Sequence, residues 1–172
     1  MKNKLLLIFI SLIFIIVFIL FYKGLQNTNI YTPETKISNK IPSFKGELFY
    51  SDEIINSSNF FNSDKFYLLN VWSSWCVPCR KEHTFLMNFK ESKKIEVVGI
   101  NYKDKKINAE NFLIELGNPY KKIIFDQEGI IAIEWGAYGV PETFLIKDKV
   151  IIKRYIGPLD EKTAKEILSI IK

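Results

Sequence analysis

The chain has 172 residues, 48% hydrophobic and 25% charged, which allows one ordinary globular domain and excludes disordered and collagen-like classes. Its 24 basic and 19 acidic residues give a net charge of +5, but Lys2, Lys4 and Lys23 flank an N-terminal apolar run. The remainder is nearly neutral, so a charge-driven function on nucleic acid is not expected.

The apolar run covers residues 5–22, LLLIFISLIFIIVFILFY, and is interrupted only by Ser11. As a helix rising about 1.5 Å per residue, it would span roughly 27 Å, which is close to the thickness of a bilayer core. A cleaved signal peptide is the alternative, but its apolar region would be shorter and would end in small residues, whereas the first alanine is Ala109. We therefore expect residues 1–23 to be an uncleaved membrane anchor.

The charges around this run predict its orientation. Two lysines and the α-amine precede it and only Lys23 closely follows it, so the positive-inside rule keeps the N-terminus cytoplasmic. The rest of the chain would then face the oxidising side of the membrane. Residues 24–40 are polar and aperiodic, which predicts a flexible tether, and residues 41–172 are expected to form the domain.

The first clear pattern of the domain is a strand, a helix and a second strand. Phe66–Trp72 is a nearly continuous apolar run, typical of a strand buried on both faces. From Cys76 to about Lys93 the apolar residues follow helical spacing, and Ile95–Asn101 returns to strand character. The short links between them imply a right-handed parallel crossover.

The downstream pattern completes an α/β class, a mixed central sheet with helices on both faces. Residues 41–61 give only a weak indication of a short strand and a turn. The last helix places Ala164, Ile167, Leu168 and Ile171 on one face. The other predicted elements are a helix at 109–116, a strand at 122–126, a short helix at 130–135, hairpin strands at 143–146 and 150–155, and a final helix that Asp160 caps and that ends near Ile171.

The chemistry is expected at Cys76 and Cys79, the only cysteines, which lie where the strand gives way to the helix. A helix start presents unpaired N–H groups and a positive dipole end, and both favour a thiolate at Cys76. The thiolate is the species that attacks a disulfide. Cys79 is close enough in sequence to attack the resulting mixed disulfide, and Pro78 fits the first turn, where no helical hydrogen bond is lost.

Three alternatives exist for this pair. A zinc site that includes His83 would lack a fourth ligand, because the chain has no other histidine or cysteine. Inert buried thiols are unexpected at a strand-to-helix junction, and nothing in the sequence requires peroxide chemistry. A redox-active dithiol without metal or other cofactor is favoured, and His83 is expected on the helix surface.

A second motif, Gly139-Val140-Pro141-Glu142-Thr143-Phe144, begins a predicted strand about 60 residues downstream. Proline cannot donate to a strand ladder, so Pro141 belongs at the first residue of that strand. Taken alone, the motif is equally compatible with an ordinary turn.

Together these motifs resemble the thioredoxin superfamily, and more narrowly the membrane-anchored DsbE/CcmG thiol:disulfide interchange proteins of cytochrome c maturation. The resemblance extends from about Ile41 to the C-terminus, and an N-terminal anchor is also typical of that family. The narrower resemblance rests on five blocks in order: LNVW at 69–72, CVPCRKEH at 76–83, GINYKD at 99–104, YGVPETF at 138–144 and YIGPL at 155–159.

The resemblance implies a role for each residue of the pair and of the second motif. Cys76 would be the attacking thiol and Cys79 the resolving thiol. Pro141 would be a cis-proline that faces them across the site. Val140 would then offer its backbone groups to a bound polypeptide as an added strand.

The resemblance also suggests residues for proton handling and for shaping the site. Asn70 stands where ordinary thioredoxins carry a buried acid, so Glu82, three residues after Cys79, is the candidate for managing a thiol proton. A solvated surface charge is the alternative for Glu82. Glu142 could tune the thiols or select a basic partner. From the strand-to-helix context alone, Trp72 and Trp75 would add aromatic surface beside an exposed thiol, suitable for docking a chain.

The implied function is that of a dithiol reductant on the periplasmic side of a bacterial inner membrane. A membrane electron donor of the DsbD or CcdA type would reduce it, and it would reduce the cysteines of apocytochrome c or of a haem-ligation partner. Haem attachment needs free thiols in a compartment that oxidises them. The alternatives are a general envelope reductase with other targets and a non-catalytic module that binds apocytochrome. The chain is expected to act as a monomer.

Overall fold

The computed structural model describes residues 2–26, 40–51, 53–61 and 65–172. They belong to two units, an N-terminal helix and an α/β domain. Helix α1, Lys2–Gln26, includes a stretch from Lys4 to Gly24 that is long and apolar enough to cross a membrane. Most of the predicted tether at 24–40 lies outside the described residues.

The described part of the domain contains a seven-stranded mixed sheet with the strand order β2-β1-β5-β4-β3-β6-β7. Its strands are β1 Lys45–Leu48, β2 Ile54–Asn56, β3 Phe66–Trp72, β4 Ile95–Tyr102, β5 Lys122–Asp126, β6 Glu142–Lys147 and β7 Val150–Ile156. Its helices are α2 Ser57–Phe60, α3 Val77–Lys90, α4 Lys106–Leu116, α5 Ile130–Glu134 and α6 Glu161–Ile170.

Strand β3 lies near the centre of this sheet and leads into α3. It pairs in parallel with β4 and antiparallel with β6, and β4 pairs in parallel with β5. Because side chains alternate along a strand, Leu68 and Trp72 join one apolar cluster while Leu69 and Val71 join another on the opposite face. Asn70 lies between Leu68 and Trp72 and therefore projects on their face.

Helices cover both faces, as the sequence predicts. One cluster takes buried side chains from α3, α4 and α6, including Leu86, Phe112 and Ile167. The other takes them from α2 and α5, including Phe60 and Ile131. The chain therefore has the thioredoxin-like α/β architecture, with the β3–α3 junction at the carboxyl end of an interior strand.

Several predicted boundaries differ from the structure. Helix α3 begins at Val77 and ends at Lys90, and α4 begins three residues before Ala109. The weak pattern over 41–61 contains two strands and a short helix rather than one strand and a turn. Leu168 is 45% exposed and lies outside the buried face that contains Ile167. The apolar face of α6 is therefore narrower than predicted.

Candidate active site

The two cysteines lie at the start of α3 and are joined by a disulfide, with their Cα atoms 5.3 Å apart. Cys76 is the N-cap of the helix, and its Sγ accepts a hydrogen bond from the backbone N–H of Cys79 at 3.0 Å. Pro78 occupies the first turn, as expected. Cys76 is only 4% exposed in the disulfide-bonded form, which corrects the expectation of an exposed thiol, whereas Val77 beside it is 68% exposed. A donor aimed at Sγ stabilises negative charge there when the disulfide is reduced.

The loop that precedes Cys76 is held by the loop between β4 and α4. Asp104 is buried, and its carboxylate accepts hydrogen bonds from the backbone N–H of Ser74 at 2.6 Å and from the Ser74 hydroxyl at 2.8 Å. Trp75 Nε1 donates to the Lys103 carbonyl at 3.0 Å, while 57% of Trp75 remains exposed. Trp75 therefore presents an aromatic surface from a fixed loop, as expected. Trp72 is fully buried in the core and presents none, which corrects the expectation for that residue.

From the sequence, residues 99–104 are expected to form a loop near the site, but no chemistry could be assigned to Asp104. The signal was available in the GINYKD block, where an acid follows a strand of apolar and amide residues. Its contact with Ser74 spans 30 residues, so only the fold brings the two together.

The second motif approaches the same side of the sheet. The Val140–Pro141 peptide bond is cis, and Val140 packs against the apolar cluster that contains Cys76 and Cys79. Pro141 is buried directly before β6, which pairs with β3. The fold thus brings the motif and the disulfide to one region of the domain, although they are far apart in sequence.

Glu142 is buried and paired inside the domain. Its Oε2 accepts hydrogen bonds from the Arg154 guanidinium, including one from Nε at 2.7 Å. Its Oε1 accepts from the backbone N–H groups of Tyr138 at 2.7 Å and Gly139 at 3.2 Å. Arg154 also donates to the Gly136 carbonyl at 2.7 Å, so the ion pair holds the loop that leads into the Val140–Pro141 bond.

Glu82 lies on α3 with no exposed surface, which excludes the solvated position considered from the sequence. Its Oε1 accepts a hydrogen bond from Asn70 Nδ2 at 2.8 Å, and its Oε2 accepts one from the backbone N–H of Leu159 at 2.7 Å. Burial raises the pKa of Glu82 to about 7, and the hydrogen bonds from Leu159 and Asn70 oppose that rise. The carboxyl can therefore take up and release a proton near neutral pH.

His83 is buried rather than on the helix surface, which corrects the expectation from the sequence. Its Nε2 lies 2.9 Å from the Gly117 carbonyl oxygen, and its ring packs edge-on against Phe112. Burial is the main cause that lowers its pKa, so the ring is neutral at physiological pH. Its place is in the packing between α3 and α4. Within the described ranges, no cluster of three potential ligands could hold a metal ion.

The fold and this site together define a class of protein. A CxxC disulfide at a helix N-terminus, a proline motif at the neighbouring strand and a sheet of this topology are the features of thioredoxin-like thiol:disulfide oxidoreductases.

Comparisons with known proteins define the family. The family model Redoxin matches residues 36–170. The thiol:disulfide interchange protein DsbE of Escherichia coli K12 is 37% identical over 176 residues, which cover 96% of this chain and 92% of that protein. DsbE of Tatumella citrea is 40% identical over 131 residues, covering 76% and 70% of the two chains. A crystal structure of a putative DsbE from Chlorobium tepidum, 23% identical, shares the fold with a TM-score of 0.66 over 78% of this chain and 96% of that one.

This chain belongs to the Redoxin family and, within it, to the DsbE/CcmG group of thiol:disulfide interchange proteins.

Proposed function

We propose that the protein is a dithiol reductant that keeps the cysteines of apocytochrome c, or of a haem-ligation partner, reduced for haem attachment. The observation that carries the reductant proposal is the Cys76–Cys79 pair at the N-terminus of α3, with a buried acid, Glu82, on the same helix. The choice of apocytochrome as target rests on the resemblance to the DsbE/CcmG group.

The proposed reaction consists of two exchanges. The Cys76 thiolate attacks one sulfur of the target disulfide, forms a mixed disulfide and releases the other target sulfur as a thiolate. Cys79 then loses its proton and attacks Cys76 Sγ, which forms the Cys76–Cys79 disulfide and releases the second target thiolate. Two electrons pass to the target, and the two released thiolates take up protons.

Glu82 is the proposed acceptor for the proton that Cys79 loses. It follows Cys79 by three residues on α3, its carboxyl is buried, and its pKa of about 7 allows it to accept a proton near neutral pH. Asn70, which replaces the buried acid of ordinary thioredoxins, supports this role as a hydrogen-bond partner of Glu82 at 2.8 Å.

The proposed cycle needs a source of electrons and a compartment. A membrane electron donor of the DsbD or CcdA type would reduce the Cys76–Cys79 disulfide after each turnover. The apolar stretch Lys4–Gly24 would anchor the chain in the inner membrane, with the N-terminus in the cytoplasm and the domain in the periplasm. Residues 24–40 would act as the tether between them.

The test is to trap the mixed disulfide. Replacing Cys79 with serine removes the resolving thiol, so the target stays linked to Cys76 and can be identified from the native membrane by non-reducing gels and mass spectrometry. We expect apocytochrome c or a haem-ligation component, and the Cys76→Ser variant is the matched control that should capture nothing.

Other results would contradict parts of the proposal. Capture of unrelated envelope proteins would replace the dedicated function with a general envelope reductase. No capture at all would remove Cys76 as the attacking thiol. If the Cys76→Ser/Cys79→Ser variant supported full cytochrome c maturation, the protein would be a non-catalytic binding module rather than a reductant.

A further inference from the structure

A chain of buried hydrogen bonds leads from Tyr120 to Glu82. The Tyr120 hydroxyl donates to Asn70 Oδ1 at 2.8 Å. Asn70 Nδ2 donates to Glu82 Oε1 at 2.8 Å and to Thr143 Oγ1 at 3.0 Å. Asn70, Glu82 and Thr143 have no exposed surface, and Tyr120 is 6% exposed. Water therefore has little opportunity to replace any of these partners.

Both oxygens of the Glu82 carboxyl face hydrogen-bond donors. Oε1 faces the Asn70 amide nitrogen, and Oε2 faces the backbone N–H of Leu159. This arrangement suits an ionised carboxylate, which only accepts hydrogen bonds. A protonated Glu82 needs an acceptor for its O–H. Of its two hydrogen-bond partners among the described residues, the Leu159 N–H can only donate, whereas the Asn70 amide becomes an acceptor by turning over.

The Tyr120 hydroxyl opposes that turn. With the Asn70 amide reversed, the amide nitrogen would face Tyr120, and the Tyr120 hydroxyl would have to accept a hydrogen bond from it. The hydroxyl proton would then lose Asn70 Oδ1 as its acceptor in a buried site. The ring cannot easily move aside. It stacks on Trp72 with ring centroids 5.3 Å apart, and a Cβ at Gly99 would lie only 3.1 Å from the ring. Gly99 therefore leaves the space that this stack occupies.

We propose that Tyr120 is a positioning residue for proton transfer: its hydroxyl holds the Asn70 amide with the nitrogen toward Glu82, which favours the ionised carboxylate, and proton uptake by Glu82 reverses the amide. The proposal deepens the function proposed above, because it rests on Glu82 as the proton acceptor in thiol exchange. It adds two groups, Tyr120 and Asn70, that set how readily Glu82 accepts the proton.

The other titratable groups around Glu82 do not supply this effect. Cys79 on α3 is held in the disulfide, and His83 on the same helix is neutral and directed to the Gly117 carbonyl. Strand β6 contributes the Thr143 hydroxyl, and the β7–α6 link contributes a backbone N–H. Burial, and secondarily the charge of Glu82, raises the pKa of Tyr120, so its hydroxyl keeps its proton.

The experiment is a direct titration of the Glu82 carboxyl in the oxidised full chain, held in lipid nanodiscs. Glutamate labelled with ¹³C at the side-chain carboxyl gives a signal that Glu82→Gln identifies by its disappearance. In Tyr120→Phe, which keeps the ring but loses the hydroxyl, we expect the midpoint to move up by about half to one pH unit, the effect of one net hydrogen bond. Tyr155→Phe is the matched control, since Tyr155 is buried and its hydroxyl has no hydrogen-bond partner among the described residues.

An unchanged midpoint in Tyr120→Phe, or an equal rise in Tyr155→Phe, would overturn the proposal. A second measurement needs no substitution. The side-chain ¹H–¹⁵N signals of Asn70 should change with pH at the same midpoint as the Glu82 carboxyl. A constant Asn70 signal would also contradict the proposal. Both titrations are made on the oxidised protein without a target. Thiol exchange that proves independent of Glu82 would therefore refute only its role as proton acceptor.

Discussion

Glu82 makes the stability of the domain depend on pH. Its ordinary pKa of 4.5 is raised by burial to about 7 in the folded protein. Between these two values the folded chain holds a proton that the unfolded chain has lost. The stabilisation from this proton is therefore complete below about pH 4.5 and is lost as the pH rises through about 7.

We expect Glu82→Gln to remove this dependence. The free energy of unfolding of the oxidised protein should fall by about 2 kcal/mol more in the wild type than in the variant between about pH 5 and about pH 8. Urea unfolding at several pH values measures the difference. Glu115→Gln, at an exposed position paired with Arg80, is the control that should keep the wild-type slope. Equal slopes for wild type and Glu82→Gln would contradict the prediction.

Residue identity predicted part of this site and left the rest open. The spacing of Cys76 and Cys79 at a strand-to-helix junction was sufficient to predict their location. The burial of Glu82 was not predictable, because an acid in the second turn of a helix can face either water or the core. Whether Glu82 faces the core depends on Leu159, which is 77 positions away in sequence. The fold brings the backbone N–H of Leu159 to the Glu82 carboxylate.

At the scale of elements, the loop before β6 depends on a charge from β7. Arg154 and Glu142 are both buried, with side chains 5% and 2% exposed, and together they bind three backbone groups of residues 136–139. A buried ion pair of this kind is costly to break on one side only, because the remaining charge is then buried without an opposite charge beside it. The pair therefore fixes the approach of the chain to the Val140–Pro141 bond.

We expect Arg154→Met to lower the free energy of unfolding by about 3 to 5 kcal/mol, because it leaves Glu142 charged and unpaired. Adding Glu142→Gln in the same chain should recover a large part of that loss. Lys153→Met on the same strand breaks only the more exposed pair with Glu166 and should cost less than about 1 kcal/mol. Denaturant unfolding of the four proteins checks this, and a double variant no more stable than Arg154→Met would show that the two charges do not act as a pair.

The strands differ in how well the sequence pattern predicts them. Strands β3 and β5 have the predicted bounds because each is built around consecutive, mostly buried apolar residues. Strands β1 and β2 were not resolved from the sequence. They have four and three residues, and each has a single buried position, Gly46 and Ile55, so no alternation can be recognised. Their place is determined by antiparallel pairing with β5 and with each other, which is a property of the whole sheet.

At the scale of the whole molecule, the proposed anchor would give the redox site its compartment. The stretch Lys4–Gly24 contains enough apolar residues to cross the bilayer, and the lysines at its N-terminal side predict a cytoplasmic N-terminus. A dithiol reductant that served the cytoplasm would duplicate a pool that is already reducing, whereas thiols beyond the membrane need such a protein. The proposed function and the charge asymmetry therefore require the same orientation.

We expect Cys76 to be reachable only from the outer side of the inner membrane. In spheroplasts that carry Cys79→Ser, a membrane-impermeant maleimide should label Cys76 without detergent. The matched control is Asn3→Cys in a chain with both native cysteines replaced by serine, and it should be labelled only after the membrane is permeabilised. The two positions lie on opposite sides of the apolar stretch, so one crossing of the bilayer must give them opposite accessibility. Labelling of Asn3→Cys in intact spheroplasts, with Cys76 protected, would reverse the proposed orientation and would exclude periplasmic thiols as targets.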